Sequence, residues 1–299
     1  MLVHAATTGQ SIEASCADLE RSADSNTLRD YLNQAFVVEG LAQLEDEVNA
    51  ALVAKLPKKV GKYKRELAID LHDQAFYGKD EGLLSYASRG QAKAGTRYFY
   101  RIASVYLILD GLRFTLGVVF VQAQMSLADC VTALLARVKA QRIRVRCLYL
   151  DRGFAALEVY DYLQEQHIPA VIACPIRGKQ AGIKALCRGR KSYTTKHTFR
   201  SRTQGERIHY RLLRQVRVYT NSRNPALRFL FMALALILLT LWLCLRFHFC
   251  QLPRRDRQGR SLDEARFRLH CFAAFLRRAI ERRYGVRQTI EAAVLPRGV

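Results

Sequence analysis

The stretch VRCLYLDRGFAALEVYDYLQEQHIPAVIAC, residues 145–174, decides the fold class. Val145 to Leu150 is a short apolar run that ends at Asp151, as a buried strand does. Ala155 to Gln166 follows with apolar residues at helical spacing, and Pro169 to Cys174 (PAVIAC) is a second run of strand length. Strand, helix, strand in so short a span predicts a parallel pair joined by a crossover helix.

Toward the N-terminus, Ser126 to Gln141 (SLADCVTALLARVKAQ) predicts a helix with Ser126 as N-cap and Asp129 three residues on. Before it, Tyr98–Leu109 (YFYRIASVYLIL) and Leu112–Val121 (LRFTLGVVFV) flank Asp110-Gly111, a two-residue hairpin signal. Glu66 to Asp70 (ELAID) reads as one more buried strand, ending at its acid. A strand, a hairpin and two strand-helix units imply an α/β fold: one mixed sheet, part antiparallel and part parallel, with helices on its faces.

The flanks are helical. Thr27–Val38 and Leu41–Leu56 carry helical spacing, and Pro57 introduces the basic run KKVGKYKR, so residues 1–60 form a helical N-terminal segment and 61–299 the main domain. Phe229 to Leu245 (FLFMALALILLTLWLCL) is almost unbroken apolar sequence between Arg228 and Arg246. Its length is at the lower limit for a membrane span. Arginine on both sides gives the positive-inside rule no asymmetry, so a buried core helix is the better reading and no membrane is expected as a partner.

Lys and Arg number 48 against 26 Asp and Glu, a formal charge of +22, which calls for a polyanionic partner. Half of the residues are hydrophobic, which excludes a disordered chain. The charge is uneven: residues 177–228 hold fifteen Lys or Arg and a single acid, Glu206. Eight scattered cysteines without a CxxC pair suit a reducing, cytosolic setting and argue against zinc. The seven histidines form no metal-ligand pair, and no phosphate-cradling GxxxxGK[ST] loop is present, so ATP is not implied.

Asp70 and Asp151 each close a strand. With those strands side by side, the two carboxylates meet at one sheet edge, where hard divalent ions such as Mg²⁺ take oxygen ligands and can serve phosphate chemistry. Alone, either acid could equally be a cap or turn residue. Asp73 could support the site together with His72, but its position beyond the strand end favours a loop.

AIDLHDQAFYG around Asp70 and LYLDRGF around Asp151 resemble the first and second catalytic-aspartate motifs of the DDE transposases of prokaryotic insertion sequences, and SRNPALRFLFMALALILL resembles the helix after their third motif. The resemblance runs from about residue 60 to the C-terminus. It implies an RNase H-like core and metal-dependent cleavage and transfer of DNA strands with Mg²⁺ or Mn²⁺. It also implies DNA as element ends and target, a homo-oligomer on that DNA, and a cytoplasmic, nucleoid-associated location.

By the same resemblance the third carboxylate, a catalytic residue and metal ligand beside Asp70 and Asp151, is Glu206 in GERIHYRLLRQVR. Only Tyr210-Arg211 matches the residues that come after the Glu in the family. The span Ile176–Gly205 is also far shorter than the β-rich insertion that family members carry there, the pattern an internal deletion would leave. Glu206 could instead be an ion pair in a basic stretch. Glu281 is a lesser candidate, on a helix expected to show a solvated arginine face and to pack Phe275, Ala279 and Ile280 inward. Arg207, Arg211, Arg214 and Arg217 recur at roughly helical spacing and predict a stripe for DNA phosphates. A transposase is the leading reading. The alternatives are a DNA-binding remnant that no longer cleaves and a small single-span membrane protein.

Overall fold

The computed structural model describes residues 1–109, 112–172, 211–253, 260–262 and 266–287. Glu206, Arg207 and the whole 176–205 span lie outside the described residues, as does the Asp110-Gly111 pair.

The main sheet is the mixed, RNase H-like one expected from the sequence. Strand β1 (Arg65–Phe76) is central, with β3 (Thr96–Leu109) antiparallel on one side and β5 (Val145–Leu150) parallel on the other. Beyond β3 lie β4 (Leu112–Val121) and the short β2 (Ser88–Lys93), and beyond β5 lies β6 (Ala170–Ile172), again parallel. The hairpin register pairs Leu109 with Leu112, so two residues turn the chain between them. Helix α6 (Leu127–Ala140) has the expected capping box, with the Asp129 N–H donating to Ser126 Oγ at 3.0 Å and the Ser126 N–H to Asp129 Oδ2 at 3.2 Å. Helix α7 (Leu157–Glu165) makes the β5–β6 crossover.

Strand β1 corrects the sequence reading. It does not stop at Asp70 but continues to Phe76, pairing with β3 as far as Tyr98. The continuation hides because the buried positions past Asp70 are His72 and Gln74, polar residues whose partners come from elsewhere in the fold. Asp73 is therefore a strand residue rather than a loop one, bonded to Arg101 on β3 at 2.7 Å.

The N-terminal region is helical, with α3 (Ser25–Ala35) and α4 (Leu41–Val53) near the two expected positions and two shorter helices, α1 (Leu2–Thr8) and α2 (Ile12–Asp18), before them. These residues share one continuous apolar core with the sheet. Helix α4 covers the outer edge of β4. Asn49 accepts from the Val118 N–H at 2.7 Å and donates to the Val118 carbonyl at 2.9 Å, while Glu45 accepts from the Phe120 N–H at 2.8 Å. A strand edge that would otherwise pair with another chain is thus closed by side chains. Gly117 permits the approach, since a Cβ there would lie 3.0 Å from Arg137 Cβ and 3.3 Å from Asn49 Oδ1.

The long apolar segment is α8 (Pro225–Phe249), capped by Asn224, whose Oδ1 accepts from the Ala226 N–H at 2.8 Å. Among the described residues it is the one helix long and apolar enough to cross a membrane, and 78% of its most apolar stretch is buried inside the fold. It packs on β4 and α4, with Phe229 edge-on to Phe120, so it is a core helix. The C-terminal helix is α9 (Leu269–Tyr284), packed against α1 and α8 through Leu269, Phe272 and Ala273. The expected inward packing of Phe275 fails: its side chain is 66% exposed.

Candidate active site

Parallel pairing of β1 and β5 places Ile69 beside Leu150, so the next residue on each strand is an aspartate, Asp70 and Asp151. The aspartates therefore meet at the same end of adjacent central strands. Asp151 is held by the turn it starts: its Oδ1 accepts from the Gly153 N–H at 2.7 Å and caps the 3-10 turn Arg152–Phe154. Gly153 is needed there, because a Cβ would come within 2.9 Å of that same oxygen and 3.6 Å of Leu71 Cδ1. Burial pushes the Asp151 carboxyl above the ordinary carboxylate range, the negative charge of Asp70 pushes it further, and the Gly153 bond opposes both.

Behind Asp70 stands a polar support. Ser104 is opposite Asp70 in the β1–β3 register, and the fully enclosed His72 ring bonds Ser104 Oγ through Nε2 at 2.9 Å. His72 Nδ1 lies 4.0 Å from Asp70 Oδ2. Burial lowers the His72 pKa and favours the neutral ring, with Asp70 opposing and the Arg217 charge reinforcing the shift. Sequence reading set His72 aside, yet alternation along a strand puts residues i and i+2 on one face, which was the signal that it accompanies Asp70.

The segment 217–228 borders the site. Gln74 Nε2 donates to the Arg228 carbonyl at 3.4 Å, and Tyr100 Oη donates to the Arg223 carbonyl at 2.6 Å. Arg228 donates to the Ser222 carbonyl at 2.6 Å, and burial followed by the Arg217 charge lowers its pKa. Neither Tyr100 nor Arg228 was singled out from the sequence, since nothing local marks a side chain whose partner is a distant carbonyl.

Of the expected arginine stripe, Arg211 and Arg214 are exposed on the helical turn 211–214. The helical phase does not reach Arg217. There the chain is no longer helical, and Val216 and Val218 are both buried on either side of it. Arg217 thereby sends its charge toward His72 and Arg228 instead of continuing the stripe. Glu281 stands apart from the aspartates, 3.8 Å from His4 Nε2 and 3.5 Å from Arg277 Nε.

Over residues 62–243 the chain matches the family described as the transposase DDE domain. This chain belongs to that family. The transposase domain has no match among curated proteins. Among solved structures it is similar to a piggyBac transposase, seen by cryo-EM in a synaptic complex with hairpin DNA, at a TM-score of 0.50 and 10% identity. The likeness covers 78% of this chain and 55% of the piggyBac chain, and at that identity it concerns the fold. This chain thus spans about half the length of that protein.

Members of the transposase DDE family generally use divalent metal ions. Among the described residues no group of three or more His, Cys, Asp or Glu could hold a metal ion. Asp70 and Asp151 nevertheless suit one as a pair: they are hard oxygen donors, and their mutual repulsion, felt in the raised Asp151 carboxyl, is what a bound cation would relieve.

Proposed function

We propose that this chain is the DNA transposase of an insertion sequence, carrying out metal-dependent strand cleavage and strand transfer at Asp70 and Asp151, with Glu206 as third carboxylate. The observation that carries the reading is the pairing of Ile69 with Leu150, which sets the two aspartates together at the sheet end. Mg²⁺ or Mn²⁺, when bound, would supply Lewis-acid stabilisation of the phosphate and a more acidic attacking hydroxyl.

The chain's own residues do the rest. Asp70 and Asp151 hold the cation from two rigid strands. The Gly153 bond fixes the Asp151 carboxylate, and His72, braced by Ser104, backs Asp70. Arg217 brings positive charge toward the same place, and Arg211 and Arg214 offer phosphate contacts from an exposed turn, with Arg207 proposed to join them. The charge of +22 supports DNA as the partner, both as element ends and as target, and the setting would be cytoplasmic, on the nucleoid. We further propose that it acts as a homo-oligomer on DNA.

The test is nicking of element-end DNA by the full chain in Mn²⁺, with Asp70→Asn and Asp151→Asn as controls. Nicking by the wild type that both substitutions abolish supports the proposal. Salt-sensitive DNA binding with no nicking in any divalent ion would overturn it in favour of a non-cleaving remnant, the reading that the short 176–205 span favours.

A further inference from the structure

The C-terminal helix α9 presents an outer face that its own packing does not explain. It buries Leu269, Phe272 and Ala273 against the body of the protein, and Leu276 joins the same core. Phe275 points the other way and is 66% exposed. Arg278 lies one turn on from it and Arg282 two turns on, both exposed, while Arg268 is two turns before it at the N-cap. The only acid of the helix, Glu281, is turned toward His4 and Arg277. Among the described residues, Arg268, Arg278 and Arg282 make no ion pair.

Helix stability alone does not favour this face. Arginines at i and i+4, such as Arg278 and Arg282, repel, and Arg268 sits at the positive end of the helix dipole with no acid in the first turn. An ordinary solvated face would mix signs and would not carry an exposed phenyl ring. Cations arrayed around an aromatic ring are what single-stranded nucleic acid requires, with phosphates on the guanidiniums and a base stacked on the ring. A second copy of the same face would be repelled by its charge. A duplex would satisfy the arginines but leave the ring unused, since its bases are already stacked on one another.

We propose that the outer face of α9 binds unpaired DNA, with a base stacked on Phe275 and the neighbouring phosphates held by Arg278 and Arg282. The proposal rests on the reading that this chain acts on DNA, and it adds a strand-binding surface separate from the aspartate pair.

The experiment uses the full chain, a labelled single-stranded oligonucleotide and a blunt duplex of the same sequence, over a series of KCl concentrations. Phe275→Ala should weaken single-strand binding about tenfold with the salt slope unchanged, Phe275→Trp should restore it, and duplex affinity should not move. Arg278→Gln and Arg282→Gln should each lower the single-strand salt slope by about 0.7. Cys271, exposed four residues before Phe275 on the same face, should be alkylated more slowly when the oligonucleotide is bound.

A wild-type chain that binds no DNA at all overturns the underlying reading. A wild type that binds with steep salt dependence, while Phe275→Ala binds single strands equally well and Cys271 is not protected, overturns this proposal alone. So does a Phe275→Ala variant that loses self-association, or adsorption to phosphatidylserine vesicles, with its single-strand affinity intact.

Discussion

His72 Nδ1 lies 4.0 Å from Asp70 Oδ2, while the other nitrogen of the same ring is bonded to Ser104 at 2.9 Å. The ring thus ties the strand that carries Asp70 to its antiparallel neighbour beneath the carboxylate. His72→Ala should leave the buried Ser104 hydroxyl unpaired and open a gap in the sheet, costing about 1–3 kcal/mol for the polar group alone. His72→Gln, which can still reach Ser104, should recover part of that loss. Urea unfolding of the two variants is the measurement, and equal stability of both with the wild type would contradict the bracing role.

Asp151 carries a raised carboxyl, first from burial and then from Asp70. A carboxyl whose folded pKa lies above its unfolded value favours the fold in acid and loses that contribution as pH rises through the folded value. Asp151→Asn, which keeps an acceptor oxygen for Gly153, should therefore melt at a higher temperature than the wild type at pH 7, and the gap should close as the pH falls. Added Mg²⁺ or Mn²⁺ should stabilise the wild type, by about 2.7 kcal/mol at a hundred times Kd, and leave the Asp70→Asn/Asp151→Asn double variant unmoved.

Glu206 is tested by Glu206→Gln, which removes charge and keeps shape. As the third carboxylate it should be required for Mn²⁺-dependent nicking and dispensable for DNA binding, read by gel assays of both on one preparation. Nicking that survives the substitution would remove Glu206 from the site.

His4 is buried where α1 meets α9, and burial lowers its pKa despite the opposing charge of Glu281. Its contribution is complete above the unfolded value of about 6.5 and is lost as the pH falls toward the folded one, because only the unfolded chain takes up the proton over that interval. Urea midpoints at pH 7 and pH 5 should differ less in His4→Gln than in the wild type.

Asn49 satisfies both polar groups of Val118 across 69 residues of chain. Asn49→Ala should cost roughly 1–3 kcal/mol for each group left unpaired and should promote aggregation through the opened β4 edge. Residues 61–299 expressed alone lack all of α4 and should aggregate for the same reason, which light scattering would show.

Much of the sheet was legible in the sequence because its signals are local. The Ser126–Asp129 box spans three residues, the hairpin turn two, and the run ending at Asp151 stops where its strand stops. The charge imbalance and the aspartate motifs were legible too, and they point to the family without any knowledge of the fold. The true length of β1 was not legible, because His72 and Gln74 look like the end of an apolar strand until Ser104 and the Arg228 carbonyl are placed beside them.

The order and kind of the central elements were determined by the sequence alone, since periodicity, caps and turns depend on residues a few positions apart. Only the tertiary structure decided that Asp70 and Asp151 share one edge, that Asn49 closes β4, that Arg217 leaves its helical phase to approach His72, and that Phe275 faces outward. Each of these depends on which surfaces come together when the apolar core closes. Burial is non-directional and sums over the whole chain, so no short window of sequence contains it.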